Sequence, residues 1–418
     1  MEGKTEPASG PSEGPPPAPA DAALLGLADR HLLGNYRPAR IVLERGRGTE
    51  VFDVQGRRYL DFCAGVAVCC LGHAHPELSR AIADQAARLM HVSNYFYSVE
   101  NVRLAHELCS ATGFDRAFFC NSGAEANEAL LKLARRYFYE TGEPERIRIV
   151  CFERAFHGRT MGALTMTGSE VYLRGFGQPL AGIVHVPYGD LDAVGAVMDK
   201  DVAAVLVEPV QGEGGVYPAP AGFLTGLREL CDRHGALLLI DEVQVGMGRT
   251  GKLLGAEHWG VRADAIALAK GLGGGFPIGA MLLRERLAGG LPPGSHGSTF
   301  GGNPLASTAA RTVLRILQRD GLTERAARLG KRLSEGLSRV ASKHPKLCRG
   351  ERGLGLLRAI TLTDAVQARD LLEPMRAQGV LLTAAGARAL RFTPPLIVTE
   401  EEIDEVLERV DAAFTAFA

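Results

Sequence analysis

Net charge, long apolar runs and paired cysteines are what this chain has little of. Its 47 lysines and arginines nearly balance 48 aspartates and glutamates, for a formal net charge of -1. No broad basic field is left to attract nucleic acid or an anionic membrane. No apolar run is long enough to span a bilayer. The eight cysteines are scattered without a C-x-x-C pair, although Cys69 and Cys70 are adjacent. With no apolar secretion-signal core before them, they read as reduced thiols of a cytoplasmic protein. Internal repeats are missing. So is a Walker A phosphate loop, because Lys270 precedes its glycines instead of following them.

What is present is an ordinary globular balance, 46% hydrophobic and 23% charged, over a length that suits two domains. Residues 1–22 are rich in Pro, Gly, Ser and Glu and read as a disordered tail. Farther on, short apolar runs alternate with helical patterns. "RAFFCN", "IRIVCF", "GIVHVP", "VAAVLVEPV", "ALLLIDEV" and "AIALAK" are strand candidates. "SGAEANEALLKLARRYFYE" has helical spacing, with a Ser122–Glu125 capping box at its start. "FLTGLRELCDRH" is a second helix, ended by Gly235. Continuously apolar strands between helices imply an α/β fold with a mostly parallel sheet covered on both faces. Long helical patterns follow residue 303. The expected division is an N-terminal segment 23–64 joining the small domain, a large domain 65–302, and a smaller α/β domain 303–418.

Two candidate sites have ordinary readings that outweigh them. "GMGRTG", residues 246–251, is a literal G-x-G-x-x-G. A dinucleotide site needs those glycines to open a helix, yet the glycine-broken "KLLGAEHWG" follows, and Asp241 and Glu242 stand just before. His73 and His75 of "GHAHP" resemble a metal pair, but no third ligand is evident and Pro76 marks a turn into a helix. No metal is expected.

Asp241 ends one apolar strand and Lys270 another, at the sheet edge where open α/β folds place ligands. Each alone could be a solvated strand end. The helix start at Ser122, Gly123 and Ala124 leaves backbone N–H groups open, which suits a phosphate and equally a plain capping box. Together the three features suit pyridoxal phosphate. The lysine would bind its aldehyde, the aspartate its pyridine nitrogen and the helix start its phosphate.

"CNSGAEANEAL", "AFHGRTMGAL", "VEPVQGEGG", "LLIDEVQVGMGRTG", "ALAKGLGGGFPIGA" and "GSTFGGNPLA" occur in the order seen in the class III pyridoxal-phosphate aminotransferases. The chain resembles that family from about residue 35 to its end. The resemblance implies a fold-type-I homodimer with active sites at the subunit interface. It implies Lys270 as imine lysine and general base, and Asp241 as partner of the pyridine nitrogen. Ser122, Gly123 and Ala124 would hold the phosphate, with Thr299 from the neighbouring subunit. Phe156 would stack on the ring, and Val243 and Gln244 would contact its other face and phenolic oxygen.

For substrates, the resemblance assigns Arg159 to the carboxylate far from the reacting centre and Arg391 to the α-carboxylate of glutamate. Glu213 would neutralise Arg391 when the donor has no such carboxylate. Ser298 would touch an acylated substrate, and Tyr36 its far end. The likeness is strongest to members that move the terminal amine of N2-acetyl-L-ornithine to 2-oxoglutarate, in arginine biosynthesis. Ornithine-specific members carry tryptophan at the position of His157 and tyrosine at that of Val66. A small residue at 66 offers no phenol to a free α-amine. Ornithine remains the runner-up, because "NYRPARIVLERG" is itself ornithine-aminotransferase-like; 4-aminobutyrate stays open because enzymes acting on it share some of these features, and succinylornithine because the acyl group is not fixed by the sequence. A nicotinamide- or flavin-dependent oxidoreductase and a catalytically silent binding protein are the readings from other classes.

Overall fold

The computed structural model describes residues 19–417. Residues 1–18 of the expected tail lie outside the described residues. Its last four belong to the helix Pro19–His31, which carries Asp21 in its first turn, where the helix dipole favours an acid.

Seven strands form the central sheet, in the order 116–120, 279–283, 265–268, 237–241, 202–207, 148–152 and 183–186. Strand 279–283 runs antiparallel to both neighbours; the other pairings are parallel. Its sequence, "GAMLL", opens on glycine after a long loop and gives little strand signal beforehand. The six strand candidates read from the sequence all appear.

Alternation along each strand divides the core. Leu237, Leu239, Ala265 and Ala267 face the helix Gly123–Glu140, whose Ala126, Ala129, Leu130, Leu133 and Ala134 form one helical stripe. Leu238, Ile240, Ile266 and Leu268 face the opposite side, where helix Phe223–His234 packs through Leu224 and Leu227. With both faces covered, "VAAVLV" at 202–207 is buried at every position, which is why it lacks alternation in polarity. Truncating one such leucine, Leu130→Ala, would cost about 2–5 kcal/mol.

Two further sheets flank this layer. Strands Leu43–Arg47, Glu50–Asp53 and Arg58–Asp61 are completed by Val380–Leu381 from the far end of the chain. Strands Cys348–Leu354, Leu357–Leu362, Ala389–Phe392 and Thr383–Ala385 form the other, antiparallel throughout. Helix Leu322–Lys343 packs on it, and helix Glu400–Phe417 packs in turn on that helix. The C-terminal region thus holds more strands than its sequence suggested, because several are only two to four residues long.

Candidate active site

Asp241 is the last residue of its strand, paired in register with Ala267 of the next. It is buried, and both of its carboxylate oxygens accept hydrogen bonds. Asn127 Nδ2 donates to Oδ2 at 2.7 Å, His157 Nδ1 approaches the same oxygen at 2.8 Å, and the Val243 N–H reaches Oδ1 at 2.9 Å. His157 therefore carries its proton on Nδ1 when it meets the carboxylate.

Lys270 does not end its strand, as the sequence implied. The strand stops at Leu268, and Lys270 opens a short 3-10 turn with φ of 43°. That left-handed conformation is strained for a lysine and redirects its side chain at the sheet edge. Burial drives the ammonium below the usual lysine range, and Arg391 nearby acts in the same direction, against the pull of Glu213 and Asp241. An amine that sheds its proton easily is a nucleophile and a base.

The helix Gly123–Glu140 starts at the same edge. Ser122 Oγ accepts from the Glu125 N–H at 3.2 Å, half of the expected capping box. The other half is displaced by one residue: the Glu125 carboxylate takes the N–H of Asn121 at 2.9 Å, not that of Ser122. The N–H groups of Gly123 and Ala124, in the first turn, have no intrahelical acceptor. A Cβ on Gly123 would lie 2.7 Å from Val243 Cγ1, so only glycine lets that side chain and the helix start meet.

These groups line one cavity of ≈ 410 Å³. Ser122, Gly123 and Ala124 line it together with Asp241, Val243 and Lys270. Phe156, Arg159, Glu213 and Gln244 also line it. Arg391 stands behind Glu213. It is 1% exposed, its Nη1 pairs with Glu213, and its Nε donates to Thr383 Oγ1 at 3.1 Å. Gln244 bridges the two, donating to Glu213 at 3.1 Å and accepting from Arg391 at 3.2 Å. Burial raises the Glu213 carboxyl, but Arg391, Lys270 and Gln244 together offset this and hold it below the usual glutamate range. Arg159 makes no ion pair among the described residues. Its guanidinium stacks on Tyr172, 3.9 Å from the ring centroid.

Ser298, Thr299 and Tyr36 are not brought to this cavity. Ser298 Oγ instead accepts from Asn121 Nδ2 at 3.2 Å and from the Gly301 N–H at 3.0 Å, closing its own loop. Thr299 is exposed on that loop, and Tyr36 is 79% exposed. "GMGRTG" opens no helix; a 3-10 turn, Gly255–Trp259, follows, and Arg249 is buried against the carbonyls of Leu356 and Pro394. His73 Nε2 is engaged by Asp61 at 2.7 Å.

Three site residues escaped the sequence reading. Glu208 follows the strand Val202–Val207, beside that of Asp241, so the strand-end logic would have found it. Its Oε2 accepts from the Phe156 N–H at 3.1 Å. Burial, then the negative charge of Asp241, raise it well above the ordinary glutamate range. Asn127 lies one helical turn past Gly123 and carried no separate signal. His157, which the sequence offered only as a mark of substrate choice, faces Asp241.

Aminotransferase class-III, as a sequence family, matches residues 34–414. The chain belongs to that family. It is 50% identical to an acetylornithine aminotransferase of Myxococcus xanthus over 91% of this chain and 95% of the relative. Among solved structures, an N-acetylornithine aminotransferase from Stenotrophomonas maltophilia matches at 41% identity and TM-score 0.82, covering 94% of this chain and 99% of the other. An ornithine aminotransferase from Toxoplasma gondii, described with partial occupancy of PLP at its active site, matches at 35% identity and TM-score 0.91, covering 94% of each.

Class-III aminotransferases depend on pyridoxal phosphate. The residues here fit that group. An anion-accepting helix start, an easily deprotonated amine and a fixed carboxylate converge on one cavity, and the cradle at Gly123 tolerates no side chain.

Proposed function

We propose that this aminotransferase moves the terminal amine of N2-acetyl-L-ornithine to 2-oxoglutarate, giving N-acetyl-L-glutamate 5-semialdehyde and L-glutamate. The observation that carries the reading is the disposition of two arginines. Arg159 is unpaired at the cavity wall, whereas Arg391 is covered by Glu213. An ω-amine presents no carboxylate at its reacting carbon and suits the covered state. Glutamate presents one there and suits Arg391 once Glu213 has swung aside. Both substrates offer a distant carboxylate to Arg159. The acetylornithine aminotransferases among its relatives support the same choice.

Pyridoxal phosphate, when bound, supplies an aldehyde for the amine and a ring that accepts electrons from the adjacent carbon. Gly123 and Ala124, with Ser122, would hold its phosphate, and Phe156 and Val243 would enclose its ring. Gln244 would meet its phenolic oxygen. Asp241, held by His157 and Asn127, would keep the pyridine nitrogen protonated. Lys270 would take the proton from the carbon that loses the amine and deliver it to the carbon that receives the amine.

We further read the chain as a cytoplasmic homodimer, with residues 65–302 as cofactor-binding domain and 303–418 as the smaller one. Supporting the dimer, Tyr95, Phe96 and Tyr97 are 92%, 73% and 95% exposed, and Phe300 beside Thr299 is 59% exposed. Contiguous apolar surface of this kind marks an interface. Thr299 would then reach the neighbour's phosphate.

Ornithine is the second reading, favoured by the close structural likeness to the Toxoplasma gondii protein. A panel of acetylornithine, succinylornithine, ornithine and 4-aminobutyrate with 2-oxoglutarate tests both. The acetylated substrate should have the highest kcat/KM; a preference for free ornithine would promote the second reading.

A further inference from the structure

Glu213 sits on a tight hairpin. Val210–Gln211 pairs with Tyr217–Pro218, and residues 212–216 form the loop between. The loop is packed to contact along its length. A Cβ on Gly212 would fall 2.0 Å from Gln244 Oε1, and one on Gly214 would fall 2.5 Å from the Arg154 carbonyl oxygen. Gly215 and Val216 both have positive φ, 128° and 58°. A strained loop keeps its shape only when neighbours hold it.

The holder is Arg352. Its Nε and Nη2 both donate to the Gly215 carbonyl, at 2.9 and 2.7 Å. Its guanidinium lies 3.4 Å from the centroid of the Tyr217 ring, and Arg154 lies 4.8 Å from that centroid. Arg352 has no carboxylate partner among the described residues. Part-burying an arginine to grip one backbone carbonyl is costly unless the grip matters.

Register gives the reason. Arg352 is paired with Ala359, and Ala359 is paired with Arg391. Directly opposed residues share a face of the sheet, so both arginines leave one row on one side, two strands or roughly 10 Å apart. Ala359, which lies between them in that row, is small and buried. Both reach the same hairpin: Arg391 takes the Glu213 carboxylate and Arg352 the loop backbone two residues on.

We propose that Arg352 is a positioning residue for substrate choice: it fastens the hairpin to the row of Arg391, so that Glu213 leaves and regains Arg391 by side-chain rotation alone. The proposal rests on the reading of Glu213 as a cover over Arg391. Without the tether the loop backbone drifts, the cover fits poorly, and Arg391 is more often free. Donors with an α-carboxylate gain, and ω-amines lose.

The test is a double-mutant cycle on the holoenzyme, read as the ratio of kcat/KM for glutamate over acetylornithine. Glu213→Ala should raise the ratio. Arg352→Lys, which loses the paired grip, should raise it about tenfold, as expected for charge-assisted hydrogen bonds. The combined variant should rise no further than Glu213→Ala alone. Calorimetric binding of glutarate, which does not react, should tighten in Arg352→Lys and be unaffected by that change once Glu213 is Ala. Tyr217→Leu loosens the guanidinium from its other side and should shift the ratio the same way, covering the case in which Arg352→Lys fails to fold. Independent, multiplying effects of Arg352→Lys and Glu213→Ala would overturn the proposal, as would an unchanged ratio in both tether variants while Glu213→Ala still shifts it. An unchanged ratio in Glu213→Ala would instead sink the cover itself, and the tether with it.

Discussion

His157 Nδ1 and Asn127 Nδ2 converge on a single oxygen of Asp241, at 2.8 and 2.7 Å. Two donors on one oxygen hold the carboxylate in place and fix its plane. His157→Phe removes one of them, a charge-assisted bond worth about 1.5–3 kcal/mol. Affinity for pyridoxal phosphate should fall roughly 10- to 150-fold by equilibrium dialysis. Unaltered affinity would mean that Asp241 does not depend on this bond.

At the helix start, steric contact decides. Gly123→Ala puts a methyl 2.7 Å from Val243 Cγ1, a separation that real carbon atoms do not keep. Overpacking of this kind costs about 1–3 kcal/mol. The variant should melt earlier and bind phosphate compounds less well. Adding Val243→Ala should restore most of the melting temperature, and failure to do so would place the strain elsewhere.

The arginines should separate the half-reactions. Removing one partner of a buried charge pair costs about 2–5 kcal/mol, 30-fold to several-thousand-fold in a rate constant. Arg391→Ala should slow the glutamate half-reaction far more than the acetylornithine half-reaction in single-turnover measurements. Arg159→Ala should slow both. Equal losses in both halves for Arg391→Ala would refute the switch.

Glu208 gives a pH signature. Its native proton is held well above the ordinary glutamate range, while the unfolded chain releases it near pH 4.3. Between these values the folded state binds the extra proton, so this group's contribution is full below about pH 4.3 and is lost as pH rises toward its native value. Glu208→Gln, which keeps the acceptor for the Phe156 N–H, lacks that loss. Its melting temperature relative to the parent should climb from pH 4.5 to pH 8. A constant offset across that range would show that Glu208 titrates normally.

Much of this was legible in the residues because apolar periodicity follows from burial on two faces. The runs ending at Asp241 and Leu268 announced themselves as strands, and the small residues after Ser122 announced a helix start. What stayed hidden was set by direction and distance. Lys270 looked like a strand terminus because a positive φ leaves no trace in a sequence that continues with glycines. The two-residue hairpin strands around Glu213 are too short to show alternation. Asn127 has no periodic signature, since only the closed sheet brings it 2.7 Å from Asp241.

The parallel pairing of Asp241 with Ala267 has a consequence for how the protein matures. That pairing joins strands linked by a long excursion, and such contacts form late because chain entropy must be lost before they stabilise anything. Asp241 and Lys270 are therefore strangers in a partly folded chain, and the carboxylate and amine come to line one cavity only when the sheet closes. A ligand that needs both binds the finished fold alone and draws the folding equilibrium toward it, by about 2.7 kcal/mol at a hundred times its dissociation constant. Supply of the vitamin-derived cofactor would then act on how much of this chain survives to work, as well as on how fast it works.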